Sequence, residues 1–283
     1  MIRFGTLLVA ALSLAAGAVA AETPLERGKY LVEGILTCGN CHTPRGPGGV
    51  LDTARLHAGG PQTWDTSAYT VKGSNITPDK ETGIGDWSAD GVRRAIRDGV
   101  RPNGSQLAPQ MPYGYYKIFT PGDLDAVVAY VRSLPAVSNK AQPPVYKGPP
   151  MHVEITAGAE KPMPESPMRD PVKRGFYLVT IGHCMECHTP RVNEQTDLKN
   201  SLGKGGEVFK GPFGVSVSRN ITSHQEKGIG GWSDAEIKRA ITQGVRKDGS
   251  KLKPPMGFEW YARMTDQDLD AIVAYLRTVP AKE

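Results

Sequence analysis

The chain has 283 residues and a formal net charge of +5, with 22% charged residues, 33 Gly and 23 Pro. Its Lys and Arg are scattered and form no stripe, which argues against a nucleic-acid-binding face. A 39% hydrophobic fraction with only 7% aromatics suits small, loop-rich domains better than one large sheet protein.

The chain opens Met1-Ile2-Arg3-Phe4, followed by an apolar run from Leu7 to Val19 and the small triplet Ala18-Val19-Ala20. This is the pattern of a cleaved export signal over residues 1–20. A membrane anchor is the alternative, but the run is shorter than the roughly 20 apolar residues a bilayer needs. No later stretch is apolar enough to span, so contact with a membrane is expected only through partners.

A helix is expected from Leu25 to Thr37, leading into Cys38-Gly39-Asn40-Cys41-His42. Beyond a Gly- and Pro-rich loop come Asn75-Ile76-Thr77, Gly83-Ile84-Gly85 and a second helix from Trp87 to Val100. Met111 follows in a Pro-containing loop, and a third helix runs from Thr120 to Pro135. In it Leu124, Val127, Val128 and Val131 share one face, which must be buried. Residues 136–170 hold Pro143-Pro144, Pro149-Pro150, Pro162, Pro164 and Pro167 and read as an extended linker. Recognition as a Pro-rich peptide is the alternative reading of that composition.

The same elements then recur. Asn220-Ile221-Thr222, Gly228-Ile229-Gly230, Trp232-Ser233 and Met256 repeat the first set at an offset of 145, whereas Cys184 follows Cys38 by 146. One residue was therefore gained or lost in the loop between. Helices are expected from Val172 to His183, from Trp232 to Val245 with Ser233 and Glu236 as a capping box, and from Thr265 to Pro280. The organisation expected is a first domain over 21–135, the linker over 136–170 and a second domain over 171–283. Both domains are mainly α, because no run alternates over strand length. Loops this long in a compact helical domain suggest that each domain wraps something.

All four cysteines fall in Cys38-Gly39-Asn40-Cys41-His42 and Cys184-Met185-Glu186-Cys187-His188. Cys-x-x-Cys-His is the attachment signature of c-type haem: two thiols reach the vinyl groups of one porphyrin and the adjacent imidazole reaches the iron. The sequence thus calls for two covalently bound haems c, ligated by His42 and His188. A shared zinc site is disfavoured by placement of the two pairs in separate repeats. Redox disulfides would need a strand-rich context that is absent here, and they do not require a following His. Four haem propionates would also absorb the basic excess left after the signal is removed.

Of the eight methionines only Met111 and Met256 are related by the repeat, and both lie in loops and not on a helical face. They are the candidate sixth ligands. Arg45 and Arg191, in the shared run His-Thr-Pro-Arg, are candidate partners for haem propionates, since a guanidinium fork matches a carboxylate. Trp87 and Trp232 either offer indole N–H groups or pack on the porphyrin edge. Asn75 and Asn220 either contact the haem or cap a turn. The unduplicated His57, His152, His183 and His224 read as surface or loop residues.

Together with Cys-x-x-Cys-His, the Asn-Ile-Thr, Gly-Ile-Gly-x-Trp-Ser, Gly-Val-Arg and Met-Pro-Tyr elements resemble the cytochrome c subunits of bacterial periplasmic dehydrogenases of the alcohol, sorbitol and gluconate type. Those subunits typically carry three haems and a C-terminal anchor. The two motifs here are more similar to two-haem cytochromes that accompany other exported oxidoreductases. The resemblance implies a mitochondrial-cytochrome-like helical fold in each domain and His and Met axial ligands. It also implies a periplasmic relay from an exported dehydrogenase to a cytochrome or oxidase, ending in the respiratory chain. On this reading the chain is an electron carrier and not itself an enzyme. The alternative is a two-haem enzyme of the peroxidase or thiosulfate-oxidising type, disfavoured because both repeats keep the Met and no fifth cysteine exists.

Overall fold

The computed structural model describes residues 21–148, 153, 155–211 and 213–283. The expected signal at 1–20, and with it Met151 and His152, lies outside the described residues. The first repeat contains helices α1 (Pro24–Glu33), α2 (Cys38–His42), α3 (Ala89–Asp98), α4 (Tyr113–Tyr116) and α5 (Pro121–Ser133). The second repeats them in order as α6 (Pro171–Ile181), α7 (Cys184–Cys187), α8 (Asp234–Gln243), α9 (Phe258–Tyr261) and α10 (Asp266–Leu276).

The starts of the long helices are written locally. Thr23, Ser88, Thr120, Asp170, Ser233 and Thr265 each accept a hydrogen bond from a first-turn N–H that would otherwise lack a partner. Ser233 and Glu236 form the expected capping box, and Thr23 with Glu26 forms another. Helix α1 ends at Glu33, short of the expected Thr37. Thr37 (φ 47°) and His183 (φ 41°) instead adopt the left-handed region and turn the chain from α1 into α2 and from α6 into α7. Neither residue is Gly, so both repeats carry the same strained bend just before the cysteines.

Helices α1 and α5 cross tightly, as do α6 and α10. A Cβ at Gly28 would collide with the Ala126 carbonyl, and one at Gly175 with the Ala271 carbonyl. Only glycine lets the backbones approach this closely. The apolar faces meet behind these crossings: Leu124, Val127, Val128 and Val131, and likewise Leu269, Ile272, Val273 and Leu276, are all buried.

The strands are too short for alternation to have revealed them. Strands β1 (Thr63–Asp65) and β2 (Tyr69–Lys72) pair antiparallel, and β3 (Val145–Tyr146) from the Pro-rich segment adds to β2. In the second repeat β4 (Arg191–Val192) pairs with β5 (Gln195–Thr196), and β6 (Val208–Gly211) with β7 (Gly214–Val217). The Pro-rich segment is held along the first repeat. Asn139 Nδ2 donates to Ala58 O at 2.6 Å, Lys147 N to Ala68 O at 2.8 Å and Met163 N to Ile118 O at 2.9 Å.

One hydrophobic core runs through both repeats, joining Ile35, Ile118 and Phe119 of the first to Tyr177, Ile181 and Met264 of the second. The polar contacts around it are reciprocal. Arg27 holds Asp123 within the first repeat, with contacts at 2.7 and 2.9 Å, while Tyr177 Oη of the second donates to the same carboxylate at 2.7 Å. Arg174 holds Asp268 at 2.5 Å, and Tyr30 Oη of the first repeat donates to it at 2.6 Å. Each repeat thus ties its own first and last long helices with an Arg and Asp pair, and lends a phenol to the other's pair.

Candidate haem sites

In each repeat the bend at Thr37 or His183 starts a short helix that places both cysteines on successive turns. No disulfide joins any of the four cysteines. Burial pushes Cys38 and Cys184 up to about 12 and, with the nearby Glu186, Cys41 up to about 11; Cys187 is raised by the same causes.

His42 Nδ1 lies 2.7 Å from Ser74 O, and His188 Nδ1 lies 2.7 Å from Arg219 O. A carbonyl only accepts, so Nδ1 carries the hydrogen and Nε2 keeps its lone pair. This is the arrangement that orients an imidazole for metal ligation. Burial pushes both imidazoles below the ordinary histidine value, favouring the neutral, ligating form.

Ser74 and Arg219 immediately precede Asn75 and Asn220, which explains those asparagines. Asn75 Oδ1 accepts from Thr77 N at 2.9 Å and Thr77 Oγ1 at 2.7 Å, while its Nδ2 donates to Val137 O at 2.8 Å. Asn220 does the same with Thr222 at 2.9 and 2.6 Å and with Lys282 O at 2.7 Å. Their polar atoms are committed to the turn that delivers the carbonyl to the histidine. Of the two readings of Asn-Ile-Thr, turn capping is the one these bonds match.

Met111 and Met256 are half-buried and sit in matching turns, with Tyr113 N donating to Met111 O at 2.7 Å and Phe258 N to Met256 O at 3.1 Å. Trp87 and Trp232 are also half-buried and pack against the core. Arg45 donates to Asn40 Oδ1 and Gly49 O, both at 2.9 Å. Arg191 is exposed, with Glu207 3.9 Å away. The two arginines therefore do not do equivalent work.

His57 was expected at the surface or in a loop. It does lie in a loop, but it is fully buried, with a φ of 62° where the second repeat has Gly203 at 75°. Its backbone N–H donates to Thr43 Oγ1 at 3.1 Å, and Gly203 N donates to Thr189 Oγ1 at the same distance. Burial, assisted by the neighbouring His42, pushes its imidazole down to about 4. His224 replaces Asp79 as a loop cap: Nδ1 accepts from Glu226 N and Lys227 N, as Asp79 accepts from Thr82 N.

The sequence reading missed three buried donors. The Nε atoms of Arg239 and Arg246 and the indole Nε1 of Trp260 are buried with no hydrogen-bond partner among the described residues. Unpaired buried donors are costly unless another group satisfies them. Together with two oriented imidazoles and two pairs of thiols, they fit a buried group that carries carboxylates. Arg239 and Arg246 recur as Arg94 and Arg101 in the first repeat, so the repeat itself was the signal that could have found them.

The two sites approach each other. Asn40 Nδ2, between the cysteines of the first motif, donates to Pro255 O of the second repeat at 3.3 Å, and burial first, then Glu186 of the second motif, pushes up the phenol of Tyr115 from the first repeat. Among the described residues no helix is long and apolar enough to cross a membrane.

The chain matches the cytochrome c family over residues 25–135 and 172–280. It is similar to the fructose dehydrogenase cytochrome subunit of Gluconobacter japonicus, at 31% identity over 91% of this chain and 53% of that protein. It is also similar to the gluconate 2-dehydrogenase cytochrome c subunit of Pantoea cypripedii, at 32% over 99% of this chain and 64% of that protein. A diheme cytochrome c-type protein of Cereibacter sphaeroides is 31% identical, over 87% of this chain and 83% of that protein. The chain spans just over half to just under two-thirds of the two dehydrogenase subunits. With the family matched in both repeats, each bearing Cys-x-x-Cys-His at an oriented imidazole, the chain belongs to the cytochrome c family as a tandem pair of cytochrome c domains.

Proposed function

We propose that this protein is an exported, periplasmic two-haem electron carrier. It takes electrons from an exported dehydrogenase and passes them to a cytochrome or oxidase of the respiratory chain. The observation that carries the reading is the duplication of a complete site, with Nδ1 of His42 and of His188 each bound to a carbonyl at 2.7 Å and a matched Met in each repeat. Haem c supplies the one-electron ferric/ferrous couple.

The protein's own residues do the rest. Cys38 with Cys41, and Cys184 with Cys187, would hold one haem each through thioether linkages. His42 and His188 would ligate the iron through Nε2, and Met111 and Met256 would supply thioether sulfur as the second ligand, a pairing that raises the potential. Arg239 and Arg246 offer unpaired buried N–H donors for propionates in the second repeat. The relatives' names as fructose and gluconate dehydrogenase subunits support a sugar- or alcohol-oxidising enzyme as the donor class.

The optical spectrum of the oxidised protein tests this. Two equivalents of the weak far-red band of thioether-bound ferric iron are expected, with one equivalent lost in Met111→Ala and one in Met256→Ala. Each variant should also lower the potential of its own haem. A high-spin band in the unmodified protein, or rapid turnover of hydrogen peroxide, would favour the enzyme instead.

A further inference from the structure

The residues between the cysteines of the first motif do not face solvent or only their own repeat. Asn40 Nδ2 donates at 3.3 Å to the carbonyl oxygen of Pro255, the residue immediately before Met256. Arg45 sets the direction of that amide: its Nη2 donates to Asn40 Oδ1 at 2.9 Å, which leaves the NH2 group facing Pro255. Beside it, Gly39 is the seat of Trp260 from the second repeat. A Cβ at Gly39 would clash with Cη2 and Cζ2 of that indole. Trp260 is 1% exposed and starts four residues after Met256, on the short helix α9 that continues the methionine turn. A Cβ at Gly257, between them, would lie 3.1 Å from Trp260 Cδ1 and 3.3 Å from the Thr37 methyl of the first repeat.

The methionine turn of the second site is therefore braced from both ends by the first motif, at Pro255 by Asn40 and at Trp260 by Gly39. The counterparts of Gly39 and Asn40 in the second motif are Met185 and Glu186. A duplicated pair required only for haem attachment has no reason to diverge into a seat for an indole and an amide donor on one side. It does have a reason where the first motif must fit a foreign loop.

We infer that Asn40 and Gly39 of the first haem motif are positioning residues for the second haem site, holding the turn that presents Met256. This rests on the axial assignment of Met256 proposed above. A rigid methionine loop resists displacement of its sulfur, because an incoming ligand must first move a turn that packing and hydrogen bonding hold in place. The second site's hold on its methionine thus depends on the two residues that lie between the cysteines of the first motif.

The test uses full-length protein carrying Met111→Ala, in which the remaining far-red band reports Met256 alone. Imidazole is titrated against that band. Asn40→Ala removes one hydrogen bond, and the imidazole midpoint should fall about threefold to tenfold. Gly39→Ala should lower it at least as far by displacing the indole. Adding Trp260→Phe, which removes the part of the ring that meets the new methyl, should return it towards the Gly39 value. Unchanged midpoints in both single variants, with both haems attached, would overturn the inference. Absence of any far-red band in Met111→Ala would instead overturn the assignment of Met256 beneath it.

Discussion

Replacing Tyr177 by Phe isolates the contact between the repeats with little change in packing. The ring stays, including its edge-on contact with Phe119 at 6.4 Å between centroids, and only the hydroxyl is lost. That hydroxyl is fully buried and donates at 2.7 Å to Asp123, which is itself 7% exposed and already holds Arg27 through two contacts. A hydrogen bond to a charged group is worth about 1.5–3 kcal/mol, and no water can replace this one, so Tyr177→Phe should cost about 2 kcal/mol. The reciprocal Tyr30 is half-buried, so water can take part of its place and Tyr30→Phe should cost about 1 kcal/mol. Urea unfolding, followed by circular dichroism and by haem absorbance, gives both values. A loss below about 0.5 kcal/mol for Tyr177→Phe, or a larger loss for Tyr30→Phe, would refute the claim that buried reciprocal phenols lock the repeats together.

Further outcomes follow from the same contacts. Gly175→Ala should cost about 3 kcal/mol or prevent folding, because its methyl would meet the Ala271 carbonyl and backbone cannot step aside; thermal unfolding of the purified protein measures it. Ser233→Ala removes a capping-box acceptor and should cost about 1 kcal/mol by the same unfolding assay. The pH dependence has a defined sign. Burial raises Tyr30 to about 12, so the folded state keeps its proton where the unfolded chain has begun to lose it. The stability Tyr30 contributes is fully present below about pH 10 and is lost as pH rises towards 12. Tyr30→Phe should therefore flatten the alkaline limb of a stability profile.

The repeat made the haem sites legible. A five-residue motif alone is a weak signal, but two motifs with matched methionines, asparagines and helices define a unit, and those units fold as expected. The single core face of the third helix was readable because apolar spacing survives in both copies. The strands were not, since two to four residues give no alternation to read. The prolines of residues 136–170 say nothing of where that segment lies; among the described residues its two-residue pairing with β2 and the bonds from Asn139, Lys147 and Met163 hold it. His57 shows a different limit. A lone histidine with no counterpart looks like a surface residue, because only the loop's path, set by Thr43, carries it inside.

What duplication hides is which copy touches which. Tyr30 and Tyr177 occupy equivalent places, as do Asp123 and Asp268, so a sequence reader would pair each Tyr with the Asp of its own repeat. The structure crosses them, keeping Arg with Asp within a repeat and sending the phenol across. The same crossing explains why the two motifs differ between their cysteines although their cysteines, histidines and methionines do not. Residues proposed to serve a repeat's own haem stay matched, because two such haems would ask the same of them. Residues at the boundary meet unlike partners, Trp260 on one side and Tyr115 on the other, and diverge accordingly. Inside the two motifs, departures from the repeat are therefore the sequence record of the interface. Gly39 against Met185 and Asn40 against Glu186 are the places to read it.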